Sequence, residues 1–164
     1  MIDYPIVQTG LDLQAPQTLP DLYTRGNFFG LIPSKFAAGV DATFTVPNGV
    51  FWDLKSLVGT LTASAGAANR FVGWNLKDQS GTVVYQYNLT AALTANLVGT
   101  FTFSEDCTIV PTAFATTNTL LMPMPRAFIP PGWSFGTVTT NIQAGDQWSS
   151  VAAYVQEWLP PEGS

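Results

Sequence analysis

The 164-residue sequence predicts an all-β protein, an antiparallel β-sandwich of jelly-roll-like topology with an extended N-terminal arm. Apolar and polar residues alternate over short segments from residue 39 onward, which is the period of a half-buried strand. Turns rich in glycine, proline and asparagine separate these segments, and no segment has the period of an amphipathic helix. About seven or eight strands at this spacing favour a sandwich, and a single cysteine excludes the disulfide of an immunoglobulin domain.

Residues 1–38 differ from the rest of the chain and are predicted to form the arm. They contain four prolines and no sustained period, yet many of their residues are apolar. Because proline fixes its own φ angle and biases the preceding residue toward extended conformations, this composition favours an extended chain. We expect the arm to dock either on its own sandwich, which comprises residues 39–160, or on a neighbouring subunit.

The sandwich is predicted to begin with two strands. Residues 40–46 alternate in polarity and stop at a Pro-Asn-Gly turn. In the long segment 50–65, the apolar positions change parity between Leu54 and Leu57. A β-bulge near Ser56 would account for this change, because a bulge inserts one extra residue into a strand.

Further strands are predicted, in chain order, at residues 72–76, 83–89, 97–103, 120–125, 134–142 and 148–159. The first two flank a glycine-containing turn and form a hairpin in which Trp74 is a core residue. Pro123 and Pro125 cannot donate to a ladder, so their strand is expected at the edge of a sheet. Residues 108–118 are predicted to form a long loop, and residues 161–164 a frayed tail.

The composition excludes several classes of function. Charged residues make up only 10% of the chain and the net charge is −5, so no basic surface for nucleic acid is expected. The sequence has no histidine, and therefore neither a Ser-His-Asp triad nor a histidine-ligated metal. Neither an apolar run of about 20 residues nor a secretory signal is recognised, so we expect no membrane partner. No cofactor or metal is expected.

Carboxylates are the remaining candidates for catalysis, because a glycoside hydrolase needs two acids about 5–10 Å apart. Glu105 and Asp106 are neighbours and would point to opposite faces of a strand. Asp78 and Asp146 lie in glycine-containing turns, where aspartate commonly bonds to the local backbone. We therefore expect no catalytic residue, although partners can meet in the fold. The full set of candidate acids is Asp53, Asp78, Glu105, Asp106, Asp146 and Glu157.

Aromatic residues indicate an interface. In the last strand Trp148, Tyr154 and Trp158 share one parity, and the residues of the other parity are also apolar. A strand with one solvated face should be polar on that face, so both faces are expected to be covered. Trp133 follows a Pro-Pro-Gly turn and is expected to be exposed, either for contact with a partner or for stacking on sugars. The predicted interface residues are Leu22, Tyr23, Phe28, Phe29, Trp133, Trp148, Tyr154 and Trp158.

Three segments resemble a known family. They are VFWDLKSL at 50–57 after the Pro-Asn-Gly turn, NRFV at 69–72, and IPPGW at 129–133 followed by AGDQ at 144–147 and VQEW at 155–158. Together, over residues 40–159, they resemble small jelly-roll virion proteins of tailed bacteriophages, such as capsid decoration (cement) proteins. The resemblance implies a dimer or trimer that binds the major capsid protein, or another virion protein, on the outer surface of a capsid. It implies a location in the virion, assembled in the host cytoplasm, and no catalytic residues.

Two other functions stay open at this point. One is a carbohydrate- or receptor-binding module of a phage tail, in which exposed tryptophan rings would stack on sugars. The other is a carboxylate-dependent polysaccharide hydrolase. Within the phage interpretation, the sequence does not distinguish a head, collar or tail location.

Overall fold

The computed structural model describes the backbone of residues 27–31 and all atoms of residues 36–105, 107 and 119–159. The regular structure within these residues is entirely β. No helix in this part of the chain is long and apolar enough to cross a membrane. The strands are β1 (Asn27–Leu31), β2 (Thr43–Thr45), β3 (Phe51–Thr62), β4 (Arg70–Lys77), β5 (Val83–Leu93), β6 (Val98–Ser104), β7 (Thr119–Pro123), β8 (Ala127–Ile129), β9 (Ser134–Thr140) and β10 (Gln147–Trp158).

The strands form two sheets. The four-stranded sheet has the order β2-β9-β4-β5, and the six-stranded sheet has the order β1-β10-β3-β6-β7, with β8 paired to β3 beyond the end of β6. The pairings are nested, because β3 pairs with β10 and β4 pairs with β9. Such nesting is typical of a rolled-up sandwich and confirms the predicted jelly-roll-like class. One pair, β6 with β7, is parallel, so the sheet predicted to be antiparallel is mixed.

The core lies between the two sheets. Trp52 of β3 meets Phe135 of β9 edge to face, with ring centroids 6.2 Å apart. Leucines of β3 fill the same layer, and Trp74 of β4 is fully buried. The burial of Trp74 confirms the prediction from its spacing. Edge-to-face contact between aromatic rings adds to the stabilisation that burial of their apolar area provides.

The predicted bulge near Ser56 is confirmed. In the β3–β10 ladder the register passes from Ser56 opposite Tyr154 to Leu54 opposite Val155, which leaves Lys55 without a direct partner. Because the bulge adds one residue, Leu54 and Leu57 both face the core despite their odd spacing. Because of this extra residue, the side chain of Lys55 points toward the outer face of the sheet.

A second bulge, which the sequence did not predict, lies in β10 between Ser149 and Ala152. Ser150 has a φ angle of 51°, in the left-handed region. This bulge brings Trp148 onto the same face as Val155, so Trp148 is 2% exposed and packs in the core. Trp148 was expected to share a face with Tyr154, but it lies on the opposite face, because the bulge between them reverses the parity.

Part of the predicted arm forms an edge strand of the six-stranded sheet. The backbone of β1 pairs antiparallel with residues of β10, with Phe28 opposite Gln156 and Phe29 opposite Val155. The side chains of Phe28 and Phe29, and the whole of Leu22 and Tyr23, lie outside the described residues. The predicted loop at 108–118 and the predicted tail at 161–164 also lie outside them.

Two local predictions are confirmed at other edges. The segment that contains Pro123 forms β7, which is the last strand of the six-stranded sheet. The hairpin of β4 and β5 closes at Asp78, whose backbone N–H donates to the carbonyl of Thr82 at 2.9 Å. Within this hairpin a Cβ atom at Gly73 would overlap with the backbone carbonyl of Tyr87, so only glycine fits there.

Candidate functional site

An aromatic patch lies on the outer face of the six-stranded sheet. It consists of Phe51 on β3, Phe128 on β8, and Tyr154 and Trp158 on β10. Phe128 contacts both Phe51 and Trp158, with ring centroids 6.0 and 5.7 Å apart. Phe128 is 51% exposed and Tyr154 47% exposed, whereas Phe51 and Trp158 are half-buried. The patch is therefore an apolar surface that water reaches.

Strand alternation places these rings outside the sandwich. Trp52 and Leu54 of β3 are buried, so Phe51 points to the opposite face. Ile129 of β8 is buried for the same reason, and its neighbour Phe128 is exposed. The ladder sets Trp158 directly opposite Phe51, which brings residues that are far apart in the sequence into one cluster.

A network of ion pairs lies beside the aromatic patch on the same sheet. Asp53 Oδ2 accepts hydrogen bonds from Lys55 Nζ and from Arg126 Nη2, both at 2.8 Å. Lys55 Nζ also donates to Glu105 Oε2 at 3.2 Å. The Asp53 side chain is fully buried, whereas that of Arg126 is 66% exposed. The network thus presents one accessible guanidinium next to the aromatic rings.

The electrostatics of this network keep its cations charged. Burial by itself would lower the pKa of Lys55, but hydrogen bonds to Asp53 and Glu105 raise it above its ordinary value. The pKa of Arg126 is raised mainly by its hydrogen bond to Asp53. One oxygen each of Asp53 and Glu105 is buried and accepts no hydrogen bond from the described residues. Each of these two oxygens retains the capacity to accept a hydrogen bond.

A second ion pair, away from the aromatic patch, holds the two sheets together. Arg70 at the start of β4 donates from Nη2 and Nε to the two carboxylate oxygens of Asp146, at 2.8 and 2.9 Å. Both side chains are fully buried. Burial by itself would raise the pKa of Asp146, but the hydrogen bonds from Arg70, Ser64 and Gln143 outweigh it and hold that pKa far below its ordinary value. Asp146 is thus a structural anion.

The other candidate acids also have structural partners where the structure describes them. Asp78 Oδ1 accepts from Ser80 and Thr82 inside the hairpin turn. Glu157 accepts a hydrogen bond from the indole N–H of Trp52 at 3.0 Å. Asp53 and Glu105 are brought together, but Lys55 bonds to both of them. Asp106 lies outside the described residues.

The four predicted interface residues whose side chains the structure describes separate into three groups. Tyr154 and Trp158 belong to the aromatic patch. Trp133 is half-buried and packs against the core near the hairpin turn, away from that patch. Trp148 is a core residue, with its indole N–H donating to Asp41 at 3.0 Å.

Sequence reasoning missed Phe51 and Phe128, the partners of Trp158. Phe51 could have been found, because it is out of phase with the buried pair Trp52 and Leu54. Phe128 offered no such signal, since β8 has only three residues and shows no period of its own.

No family model and no curated protein matches this chain. Among solved structures, it is similar to a chain in the structure of infectious bursal disease virus Gt strain, with 13% identity over 85% of this chain and a TM-score of 0.32. It is similar to a chain in the structure of the Gx strain, with 18% identity over 84% of this chain and a TM-score of 0.29. The protein spans about a third of the length of those chains, 33% and 31%. Neither likeness determines what this chain does.

Proposed function

We propose that this chain is a structural, non-enzymatic virion protein that adheres to another virion protein through the aromatic patch. The observation that carries the proposal is the contact of Phe128 with Phe51 and Trp158 on an outer sheet face, which also carries the exposed ring of Tyr154 further along β10. Contiguous exposed aromatic surface is characteristic of the central part of protein interfaces. Arg126 lies at the margin of the patch, and arginine is also enriched among the residues that contribute most to binding at protein interfaces.

An adhesive role suits the chemistry of the site better than a catalytic role. The two candidate acids that come together, Asp53 and Glu105, share the ammonium group of Lys55, and Asp53 is fully buried. A general acid or nucleophile must reach its substrate, and a fully buried carboxylate cannot do so. The absence of histidine from the sequence removes the commonest general base.

In its finer form the proposal is a decoration protein. The partner is the major capsid protein, and the bound copies clamp neighbouring capsomers on the outside of the shell. The support for this form is the resemblance of the segments at 50–57, 129–133 and 155–158 to phage virion proteins. The same three segments carry Phe51, the end of β8 and Trp158. Many copies that each bind weakly can together stabilise a shell.

Co-sedimentation with capsids assembled without this chain tests the proposal. We expect the wild-type protein to pellet with the capsids and Phe128→Lys to lose at least about tenfold in affinity, because it places a charge in an apolar contact. The control Val40→Lys changes another exposed residue, on a loop outside the patch, and should bind like wild type. Equal binding of all three proteins would contradict a role for the patch. Binding of the wild-type protein to phage tails, and not to capsids, would indicate a location in the tail instead.

The alternative is a carbohydrate-binding module, which one feature favours. Exposed aromatic rings next to the accessible guanidinium of Arg126 offer both stacking and hydrogen bonding to a sugar. A glycan array would then show saturable binding that Phe128→Ala abolishes and Val40→Lys retains. A blank array together with binding to capsids favours the decoration role.

A further inference from the structure

The Pro-Asn-Gly turn between β2 and β3 belongs neither to the aromatic patch nor to the ion pairs. Its Asn48 is followed by Gly49, and no other asparagine of the sequence is followed by glycine. The Cγ atom of an asparagine can close a five-membered ring with the backbone nitrogen of the next residue. A glycine leaves that nitrogen unhindered, because it has no Cβ atom and its backbone angles are the least restricted. The turn is therefore a candidate for chemical modification at its asparagine.

The fold leaves both reacting groups of this turn accessible. Asn48 and Gly49 are exposed. Gly49 has a φ angle of 86°, and a Cβ atom placed on it would meet nothing within 4 Å. The Asn48 amide and the Gly49 N–H make no hydrogen bond to any described residue. Within the described part of the chain, neither packing nor hydrogen bonding protects this nitrogen.

Two other exposed asparagines in turns differ from Asn48 in this respect. Asn96 precedes Leu97 and Asn141 precedes Ile142, and both are exposed. The N–H groups of Leu97 and Ile142 each donate to a backbone carbonyl of their own turn at 3.3 Å. The Asn141 amide also donates a hydrogen bond, at 3.1 Å, to a backbone carbonyl. At these two positions the attacking nitrogen is bonded and a bulky side chain lies beside it.

We propose that Asn48 is a site of spontaneous deamidation, at which the amide becomes a mixture of aspartate and isoaspartate. The Gly49 nitrogen loses its proton to solvent and bonds to Cγ of Asn48, and ammonia leaves from Cγ after taking a proton from water. Water then opens the resulting succinimide. Cleavage of the new bond to Cγ gives aspartate, whereas cleavage of the original peptide bond gives isoaspartate. The net reaction consumes water and releases ammonia, without oxidation or reduction.

The modification changes the loop that leads into β3. Either product adds a negative charge, and isoaspartate also lengthens the main chain by one atom. On the β2 side the loop is fixed, because Val46 donates to the carbonyl of Trp133 at 2.9 Å and accepts from the N–H of Gly132 at 3.0 Å. The added length must therefore be taken up between Val46 and Phe51, the first residue of β3. The inference depends on this turn alone and not on the proposed function.

Incubation of the full chain at mildly alkaline pH, followed by peptide mapping with mass spectrometry, tests the proposal. The peptide that contains Asn48 should gain the mass difference between an amide and a carboxylic acid. The peptides that contain Asn96 and Asn141 should keep their mass. A protein isoaspartate methyltransferase should label the Asn48 peptide, because isoaspartate is one of the two products. A parallel incubation in urea shows what the fold contributes, and Asn48 should also deamidate readily in the folded protein.

Asn48→Gln should lose most of the ammonia release, because glutamine would have to close a larger ring. The matched control is Asn141→Gln, which changes another exposed asparagine in a turn and should release ammonia like wild type. Both positions are exposed, so both variants should melt like wild type, which circular dichroism checks. A folded protein that keeps the Asn48 amide while the chain in urea loses it overturns the proposal. So does equally fast deamidation at Asn96 or Asn141, or ammonia release that Asn48→Gln leaves unchanged.

Discussion

Trp74 and Trp148 are both buried tryptophans, but they differ in whether the indole N–H donates a hydrogen bond. Trp148 donates its indole N–H to Asp41, and its ring lies above Gly59, where a Cβ atom would come within 2.9 Å of it. The indole N–H of Trp74 is buried and makes no hydrogen bond to any described residue. Trp74 is thus held by packing, including a tilted ring contact with Tyr85 at 5.1 Å.

We expect Trp74→Ala to lower the free energy of unfolding by about 3–5 kcal/mol, as is usual for a large core aromatic. Trp74→Phe should lose roughly half as much or less, because it also removes a buried polar group that has no described partner. Chemical denaturation followed by circular dichroism measures both. If the two variants were equally destabilised, the indole N–H would have a partner that contributes to stability.

The tryptophans also show where sequence reasoning succeeds and where it stops. Trp74 was assigned correctly because its strand is regular on both sides of it. Trp148 was assigned to the wrong face because one bulge residue, Ser150, intervenes between it and Tyr154. A single-residue slip reverses every side chain beyond it, and nothing in the local sequence marks Ser150 as the residue that takes a positive φ angle.

At the scale of elements, the hairpin of β4 and β5 depends on a close backbone approach. A Cβ atom at Gly73 would overlap with the carbonyl of Tyr87 on β5. Backbone atoms cannot move aside as the end of a flexible side chain can. The hairpin therefore requires glycine at this position, for a reason that involves the neighbouring strand.

We expect Gly73→Ala to lower the free energy of unfolding by roughly 1–3 kcal/mol or more, because the strands must separate to admit the methyl group. Gly66→Ala is the matched control, since its Cβ would meet nothing closer than 3.6 Å. It should change stability by less than about 0.5 kcal/mol. Thermal melts of the two variants test this, and similar melting temperatures would show that the hairpin can spread at little cost.

Elements were predicted as well as their local periodicity allowed. The bulge near Ser56, the β4–β5 hairpin and the proline-bearing edge strand all left a signal within a few residues. The three-residue strand β8 left none, and its pairing with β3 depends on residues far away in the chain. The aromatic patch was missed in part for this reason, because Phe128 reaches Phe51 only through that pairing.

At the scale of the whole molecule, the buried pair of Arg70 and Asp146 links pH to stability. The pKa of Asp146 is far below its ordinary value in the folded protein, whereas in the unfolded chain it is about 3.9. Below that value the unfolded chain takes up a proton that the folded protein does not. The stability that this pair contributes is therefore present near neutral pH and is lost as the pH falls below about 5.

We expect Asp146→Asn to lower the free energy of unfolding at pH 7 by about 3–5 kcal/mol, since Arg70 would then be buried without its counterion. The variant should also lose less stability than wild type between about pH 5 and pH 2. Denaturation curves over that range test both effects. Asp78→Asn is the control, because the pKa of Asp78 is also lowered, chiefly by Ser80, but in an exposed turn. If the free energies of unfolding of wild type and Asp146→Asn fell equally as the pH was lowered, the role of Asp146 in this pH dependence would be contradicted.

The sandwich class was predictable from the sequence, because alternation and turns are repeated along the chain. The buried ion pair of Arg70 and Asp146 was not predictable, because the two residues are 76 positions apart. Each of them, taken alone, is an ordinary strand or turn residue. Sheet membership was also hidden, because the parallel pairing of β6 with β7 has no signature in either strand.

The nested pairing of β3 with β10 has a consequence for biosynthesis. Trp52 and Glu157, which bond across this ladder, are 105 residues apart, so β3 leaves the ribosome long before its neighbour exists. During that interval its leucines have no permanent cover, and such long-range closure is slow. Translation that halts before residue 147 would release a chain prone to aggregation, so intact yield should depend on chaperones that shield β3 until synthesis is complete.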